Sequence, residues 1–297
     1  MKNPSLSGTA MALAAAVLWG TTGTAQTFSS AQSSPYWIAA LRLVIASVFF
    51  AGVVFLGRTS RPCSNVWCRS AWHWIVLAGL AMAAYNLCFF AGVKATGVAI
   101  GTSVAIGSGP VWTGLLQWLT LRQVPKAVWW LGTALAVLGI SLMLSGSSAK
   151  ATFDATGFSL CLAAGFAYAS YTMVSKHLVG IVSPEIATLS VFTTASVIAV
   201  PAAALAAGTF TATGATWLMV SYLGLIATGI SFLLFSHALR HVAAATCVTL
   251  SLAEPMTAFV LAVVVVGERP GAVAFGGLAL VIAGLLLVVW FETRSRR

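Results

Sequence analysis

Residues 250–270, LSLAEPMTAFVLAVVVVGERP, contain the pattern from which the architecture of this chain follows. An acidic residue, Glu254, stands beside Pro255, and a long uncharged run follows before a turn that ends in another proline. Residues 105–125, AIGSGPVWTGLLQWLTLRQVP, repeat this layout 145 positions earlier, with Pro110 in the place of Pro255. The match predicts that the chain is built from two related halves.

The composition indicates that the chain lies in a bilayer rather than in water. Of its 297 residues, 60% are apolar and 7% are charged, whereas a soluble protein carries about 25% charged residues. A helix crosses a membrane with about 20 apolar residues. Continuous apolar runs argue against a β-barrel, whose strands alternate. We therefore predict an all-α integral membrane protein with ten transmembrane helices, at 7–26, 35–57, 72–93, 98–121, 125–145, 156–176, 184–207, 214–239, 243–266 and 270–291.

The basic residues predict the orientation of these helices. With both termini in the cytoplasm, eleven of the 15 Lys and Arg residues fall on inner loops and tails, and three on outer loops. This bias is typical of cytoplasmic loops, so the net charge of +10 reflects topology rather than nucleic-acid binding. The first stretch continues through Trp19 without a small-residue cleavage site, and we interpret it as a retained span rather than a signal peptide. We expect a multi-pass protein of the bacterial inner (plasma) membrane.

The repeat extends over the whole chain. An offset of 145 aligns most of the two halves, and an offset of 149 aligns their first two helices. The first offset pairs Gly132 with Gly277, and the second pairs Trp19 with Tyr168.

Each half holds five predicted helices, in residues 1–148 and 149–297, and we expect the two to form one integrated transport domain. Because five is an odd number, the second half enters the bilayer in the opposite sense. Inverted repeats recur in secondary transporters, with the substrate site near the midplane. A duplication kept only for helix packing would use similar small-residue spacing, but transport explains the inversion better.

Several short motifs carry a family resemblance that covers the whole chain. They are Trp19-Gly20, Leu41-Arg42-Leu43, the segments around Pro110 and Pro255, and the turns RQVP at 122–125 and GERP at 267–270. With these motifs the chain resembles the EamA-type transporters of the drug/metabolite transporter superfamily. The resemblance implies a small-metabolite exporter, with bacterial amino-acid exporters, including those for aromatic amino acids, as the nearest guide. The first half departs from the pattern at Gln123, where the family usually has Glu, and at Gly109, which stands opposite Glu254.

Two helix faces in matched positions carry polar and aromatic side chains. Residues three or four apart share a face, which groups Trp19, Thr22 and Gln26 in the first span and Tyr168 and Tyr171 in the sixth. Lipid offers no partner to such polar groups, so we expect these faces to line a cavity and to bind substrate. The alternative is hydrogen bonding between helices, typically worth under about 1 kcal/mol per contact.

Further substrate-binding positions are predicted in three other spans: Tyr85, Asn86 and Phe89 in the third, Trp112 in the fourth and Ser231 in the eighth. Tyr85 and Asn86 suit the polar groups of a zwitterion, with aromatic rings around its side chain. Aromatic residues also serve in packing and at membrane interfaces, and that alternative stays open for each of them.

Two charges fall inside predicted spans. Glu254 lies near the middle of the ninth, where an ionised group costs about 3 kcal/mol, so it should be protonated, paired or hydrated. It is predicted to bind a substrate ammonium group or a coupling proton, and otherwise to bond backbone loosened by Pro255. Arg42 lies roughly 10 Å into the second span, at 1.5 Å per residue. From there it either reaches outward to the interface or binds a carboxylate from inside.

The matched prolines predict a hinge in the fourth and ninth spans. Pro110 and Pro255 each remove a backbone hydrogen bond and clash with the preceding turn, and Gly107 and Gly109 add backbone freedom. We expect both spans to bend here and to rock against the first, third, sixth and eighth.

The sequence shows no sign of catalysis. G-x-S-x-G, H-E-x-x-H and a phosphate-binding glycine loop after a strand are absent. Cys63 and Cys68 lie on a predicted cytoplasmic loop, where disulfides are rare, and a metal site would need further ligands. We predict no enzyme activity, no cofactor, no metal and no nucleic-acid partner. The predicted partners are a small-molecule substrate and membrane lipid, with the protein acting as a monomer.

The sequence therefore predicts a secondary transporter that exports small metabolites, most readily amino acids, by alternating access. One alternative is a proton-coupled exporter of lipophilic cations or drugs, in which Glu254 and aromatic rings would bind the cation. Another is a membrane enzyme or assembly subunit that acts on lipid. Export down a gradient and export by proton exchange are both compatible with the sequence.

Overall fold

The computed structural model describes residues 4–27, 34–57, 71–145, 154–210, 213–267 and 269–294. Within these ranges every regular element is a helix. The segments are α1 Pro4–Thr27, α2 Pro35–Leu56, α3 Trp72–Thr96, α4 Val98–Leu121, α5 Ala127–Ser145, α6 Ala155–Ile181, α7 Pro184–Ala207, α8 Gly214–His241, α9 Ala244–Val266 and α10 Ala272–Arg294. They coincide with the predicted stretches to within a few residues. Cys63, Cys68 and both chain ends lie outside the described ranges.

Seven of the described helices are long and apolar enough to cross a membrane, namely α2, α3, α6, α7, α8, α9 and α10. The apolar part of α5, Ala127–Met143, is shorter. The prediction of an all-helical protein with several spans is thus confirmed. The count of ten spans and the cytoplasmic placement of both ends stay predictions.

Local chemistry explains where several helices begin and end. α2 and α7 start with Pro35 and Pro184, at a position where the missing N–H would have had no helical partner. Ser183 caps α7 through its side-chain oxygen. α7 ends at Gly208 and α9 at Gly267, with φ of 64° and 80°, which glycine adopts without strain.

The helices pair in the same way in both halves. α3 packs on α6 as α8 packs on α1, α4 on α6 as α9 on α1, and α3 on α7 as α8 on α2. Individual residue contacts show the same correspondence between the halves. Gly79 lies against Thr194, and its counterpart Gly224 lies against Ile45, the counterpart of Thr194. The offsets of 145 and 149 therefore describe the contacts as well as the sequence.

α5 and α10, which occupy equivalent places, cross at two pairs of glycines. Gly132 packs on Gly284, and Gly139 packs on Gly277. Because the residue number rises along one helix as it falls along the other, the two helices run antiparallel. The contact is close, since a Cβ on Gly139 would lie 2.5 Å from the carbonyl oxygen of Gly277. This crossing has the inverted relation that the odd number of predicted helices requires.

Two helices depart from regular α-geometry, which the sequence patterns did not predict. α8 contains a π-helical turn at Leu225–Ile230, and α9 is interrupted at residues 251–252 and ends in a second π-helical turn, Ala262–Val266. Pro255 contributes to the interruption, because its ring excludes a bond to the carbonyl of Ser251 four residues earlier. That carbonyl accepts the backbone N–H of Glu254 instead, at 2.9 Å. α4, in contrast, continues through Pro110.

Candidate functional site

A cavity lies where the two halves meet. The space between its atoms is about 270 Å³, and its lining residues are Trp19, Tyr85, Ala105, Ile106, Tyr168, Phe232, Ser251 and Glu254. They come from α1, α3 and α4 of one half and from the equivalent α6, α8 and α9 of the other. Inverted-repeat transporters bind substrate at such a boundary. The figure of about 270 Å³ includes the open surroundings, and the enclosed part has room for no more than about one water molecule. The structure therefore shows a narrow form of the cavity.

Aromatic rings form most of the cavity wall. The ring of Trp19 lies 4.8 Å from that of Phe232 and 6.2 Å, edge to face, from that of Tyr168. The ring of Tyr85 lies 5.3 Å from that of Tyr168. Phe89 stacks behind Tyr85 at 5.7 Å. These rings would surround an apolar, aromatic or cationic group.

Glu254 is the acidic group of the cavity. It lies just after the interruption of α9, in the first turn of the segment Ala253–Leu261, where a helix favours negative charge. Its carboxylate has no hydrogen-bond or ion-pair partner among the residues described. No three side chains of the metal-binding types His, Cys, Asp and Glu converge within these ranges, so Glu254 has no co-ligands for a metal there.

Arg42 is the nearby basic group. It is only 5% exposed, and its Nε–H donates a hydrogen bond to Thr228 Oγ1 at 2.9 Å. It interacts electrostatically with Tyr85 and Glu254, but no N–O distance within 4 Å joins it to Glu254 in the described structure. Of the two predicted orientations, the structure therefore has the inward one.

Two lining residues carry buried polar atoms without a hydrogen-bond partner in the described part of the chain: Trp19 Nε1 and Tyr168 Oη. The Tyr168 hydroxyl points toward Ser251 without meeting hydrogen-bond geometry, and Ser251 donates to the carbonyl of Val248 at 2.6 Å. An unpaired buried polar group costs about 1–3 kcal/mol. A ligand with polar atoms in the cavity would remove this cost.

Four of the predicted substrate-binding residues line this cavity together, namely Trp19, Tyr85, Tyr168 and Glu254. Phe89 belongs to the ring layer behind them. The structure thus brings together residues from four different helices that the sequence could only group one helix at a time.

The other predicted substrate-binding residues lie outside the lining, and their part in binding stays a prediction. Asn86 and Ser231, in matched positions, donate to carbonyls four residues back in their own helices, at 2.9 and 2.7 Å. Gln26 likewise donates to the carbonyl of Thr22 at 3.3 Å. Tyr171 and Trp112 pack on other rings, at 5.8 Å from Phe232 and 5.4 Å from Phe166.

The predicted hinge residues lie next to the cavity. A Cβ on Gly109 would lie 3.6 Å from Tyr168 Cδ1, and one on Gly107 would have no neighbour closer than 3.9 Å. Pro110 sits inside a continuous helix, whereas Pro255 follows an interruption. The structure describes one conformation, so the hinge stays a prediction.

Sequence reasoning missed four lining residues: Ala105, Ile106, Phe232 and Ser251. Ile106 and Ser251 are matched positions, each four residues before a paired proline. The carbonyl at that position loses its usual helical donor. The spacing to the two prolines was therefore the signal that could have found them, whereas Ala105 and Phe232 had no comparable signal.

Comparison with known proteins adds independent findings. Residues 6–145 and 155–290 each match the EamA-like transporter family. The uncharacterized transporter YwfM of Bacillus subtilis (strain 168) is 36% identical over 283 residues, covering 93% of this chain and 91% of that protein. The uncharacterized transporter YetK of the same organism is 26% identical over 259 residues, covering 84% and 76%. A protein of known crystal structure, 20% identical, superposes with a TM-score of 0.79 over 98% of this chain and 99% of its own, which shows a common fold.

Proposed function

Because this chain belongs to the EamA-like transporter family, we propose that it exports small zwitterionic metabolites, most readily amino acids, by alternating access. The chain is a multi-pass transporter of the bacterial inner (plasma) membrane. The substrate class, the outward direction and the mechanism are the parts that we propose.

One observation carries the proposal, namely two opposite charges whose ligand-binding atoms have no hydrogen-bond partner among the described residues. Glu254 offers a carboxylate in the cavity, and Arg42 offers the two terminal nitrogens of its guanidinium. A zwitterion brings an ammonium group for the first and a carboxylate for the second. Such charge-assisted hydrogen bonds are about twice as strong as neutral ones.

The cavity wall supports the same substrate class. The rings of Trp19, Tyr85 and Phe232 provide an apolar surface for the side chain of an amino acid. Trp19 Nε1 and the Tyr168 hydroxyl are buried donors that ligand oxygens would satisfy. An apolar surface with a few convergent polar groups is typical of small-molecule sites.

The place of the cavity supports alternating access. It lies between equivalent helices of the two halves, and one chain supplies both halves, so we propose that the monomer transports. Gly107, Gly109, Pro110 and Pro255 are the proposed hinge. Ser251, in the interruption of α9, and Glu254, next to Pro255, line the cavity, which would couple substrate binding to bending of that helix.

Solute flux by purified protein in liposomes tests the proposal. A panel of amino acids is supplied with and without a pH gradient, and empty liposomes serve as the control. Saturable flux of neutral amino acids supports the proposal, and its dependence on the gradient distinguishes proton exchange from facilitated diffusion. A folded protein that carries none of the panel would contradict it.

Glu254 also supports a second candidate function, proton-coupled export of lipophilic cations. A lone carboxylate within an aromatic wall suits a ligand that carries only positive charge. The wild-type protein distinguishes the two in the same liposomes, because a cation exporter would carry a lipophilic cation and not a neutral amino acid. Flux of neutral amino acids without flux of such a cation would count against the cation exporter.

A further inference from the structure

Arg42 is fixed at two points. Its Nε–H donates to Thr228 Oγ1 at 2.9 Å, and the Thr228 hydroxyl donates in turn to the carbonyl of Leu223 at 2.7 Å. The second bond directs the hydroxyl proton away from Arg42 and leaves a lone pair for it. The ring of Phe90 lies 5.5 Å from Arg42 Cζ. The guanidinium therefore has one defined position.

The π-helical turn Leu225–Ile230 brings the hydroxyl to this place. A threonine in a regular α-helix bonds the carbonyl three or four residues back, whereas Thr228 bonds the fifth, which is the π-helical spacing. Gly224, just before the turn, lets α2 approach closely. A Cβ there would lie 2.5 Å from Ile45 Cβ and 3.3 Å from the carbonyl oxygen of Arg42.

The equivalent crossing, between α3 and α7, lacks this polar pair. It keeps the close glycine contact, but Val191 stands in the place of Arg42 and Ala83 in the place of Thr228. The stretch of α3 that matches the π-helical turn is regular α-helix. Since the same helix crossing is made there without the pair, packing alone does not require Arg42 and Thr228.

Because Nε of Arg42 is hydrogen-bonded to Thr228, only one edge of the guanidinium remains for a ligand. A guanidinium binds a carboxylate through two parallel N–H groups. With Nε bonded to Thr228, the pair left over is Nη1 and Nη2, and neither has a hydrogen-bond partner among the described residues. Arg42 interacts electrostatically with Tyr85 and Glu254, both of which line the cavity.

We propose that Thr228 is a positioning residue that presents the Nη1–Nη2 edge of Arg42 to the substrate and so sets a preference for a carboxylate over the neutral carboxamide. This inference rests on the proposed function, in which Arg42 binds the substrate carboxylate. Thr228 acts through Arg42 and does not contact the substrate.

Two variants at this position test the proposal in liposomes. Thr228→Val removes the acceptor and keeps the shape, and Thr228→Ser keeps the acceptor. KM is measured for a neutral amino acid and for its carboxamide. We expect Thr228→Val to raise KM for the amino acid about ten-fold and to leave KM for the carboxamide within about two-fold. Thr228→Ser should restore the wild-type ratio.

A purely structural role would change both KM values alike, and that outcome would overturn the proposal, as would an unchanged ratio. If Thr228→Val does not fold, Thr228→Ala removes the same acceptor and is judged in the same way. The wild-type protein shows whether the proposed function fails or only the proposed role of Thr228. A wild type that treats both compounds alike, or carries neither, contradicts the proposed function together with the role of Thr228. A wild type that prefers the amino acid, with the preference kept in Thr228→Val, contradicts Thr228 alone.

Discussion

Tyr168 lines the cavity. It is the counterpart of Trp19 in the repeat, and its ring contacts those of Trp19 and Tyr85. Its hydroxyl is buried and lacks a hydrogen-bond partner within the described ranges. Without such a partner the hydroxyl gains nothing that would offset the cost of its burial, whereas a polar ligand atom would pair with it.

We expect Tyr168→Phe to leave the free energy of unfolding unchanged or to raise it, and to increase KM about three- to ten-fold through the lost ligand hydrogen bond. Thermal unfolding in detergent and flux in liposomes measure the two effects. Tyr222→Phe is the matched control, because the Tyr222 hydroxyl donates to Thr21 Oγ1 at 2.7 Å. It should cost about 1 kcal/mol of stability and keep KM. The opposite pattern at Tyr168 would contradict its place in binding.

At the residue scale, the sequence identified those lining residues that combine a chemical signal with a matched position. Trp19 and Tyr168 were found as a repeat pair, and Glu254 as a charge within a span. Helical spacing could not show that Asn86 and Ser231 donate hydrogen bonds within their own helices. A polar side chain can bond a carbonyl four residues back or face a cavity, and the sequence pattern is the same in both cases.

Among the helices, α9 is the one whose irregularity borders the cavity. Its interruption at residues 251–252 separates two helical segments, and Ser251 and Glu254, on either side of Leu252, both line the cavity. α4 carries the matched Pro110 without interruption. If the hinge hypothesis holds, the two prolines act unequally.

We expect Pro255→Ala to restore the N–H that bonds the carbonyl of Ser251, which would straighten α9 and stabilise it by up to about 3 kcal/mol. The maximal transport rate should fall, because bending becomes harder. Pro110→Ala should have a smaller effect on rate. Flux and thermal unfolding are compared for both proteins. Normal transport by both variants, each folded, would remove the hinge hypothesis.

The bounds of the helices were predictable, because each span is a continuous apolar stretch closed by Gly, Pro or charge. The π-helical turn in α8 was not. It is associated with the close approach at Gly224 and with the bond between Arg42 and Thr228, which joins residues 186 positions apart. Local propensity contains no information on such partners.

For the whole molecule, the crossing of α5 and α10 is the closest contact between equivalent helices. We expect Gly277→Ala to lower the free energy of unfolding by about 1–3 kcal/mol, since the new Cβ would lie 2.5 Å from the carbonyl oxygen of Gly139. Gly276→Ala is the matched control, because a Cβ there has no neighbour within 4 Å. Equal unfolding temperatures for the two variants in detergent would contradict this account.

At this scale the sequence predicted most of the architecture. The offsets located the equivalent positions, and the odd number of helices per half predicted the inversion. The offsets could not show which of the positions that differ between the two halves lie close together. Arg42, Thr228 and Glu254 each replace an apolar residue or glycine of the other half. The fold joins Arg42 to Thr228 by a hydrogen bond and brings Arg42 within electrostatic range of Glu254.

The reciprocal pairing of the helices has a consequence for how such a chain can arise and assemble. Each half presents the surface that its counterpart recognises, and at α5 and α10 both surfaces are built on two matched glycines. A half-length ancestor of this kind would have carried a surface able to bind a second copy of itself inserted upside down. We expect residues 1–148 and 149–297, produced as separate polypeptides in one cell, to co-purify and to restore flux. A gene fusion would then have freed each half to diverge, so that one could gain Arg42 and the other Thr228 and Glu254.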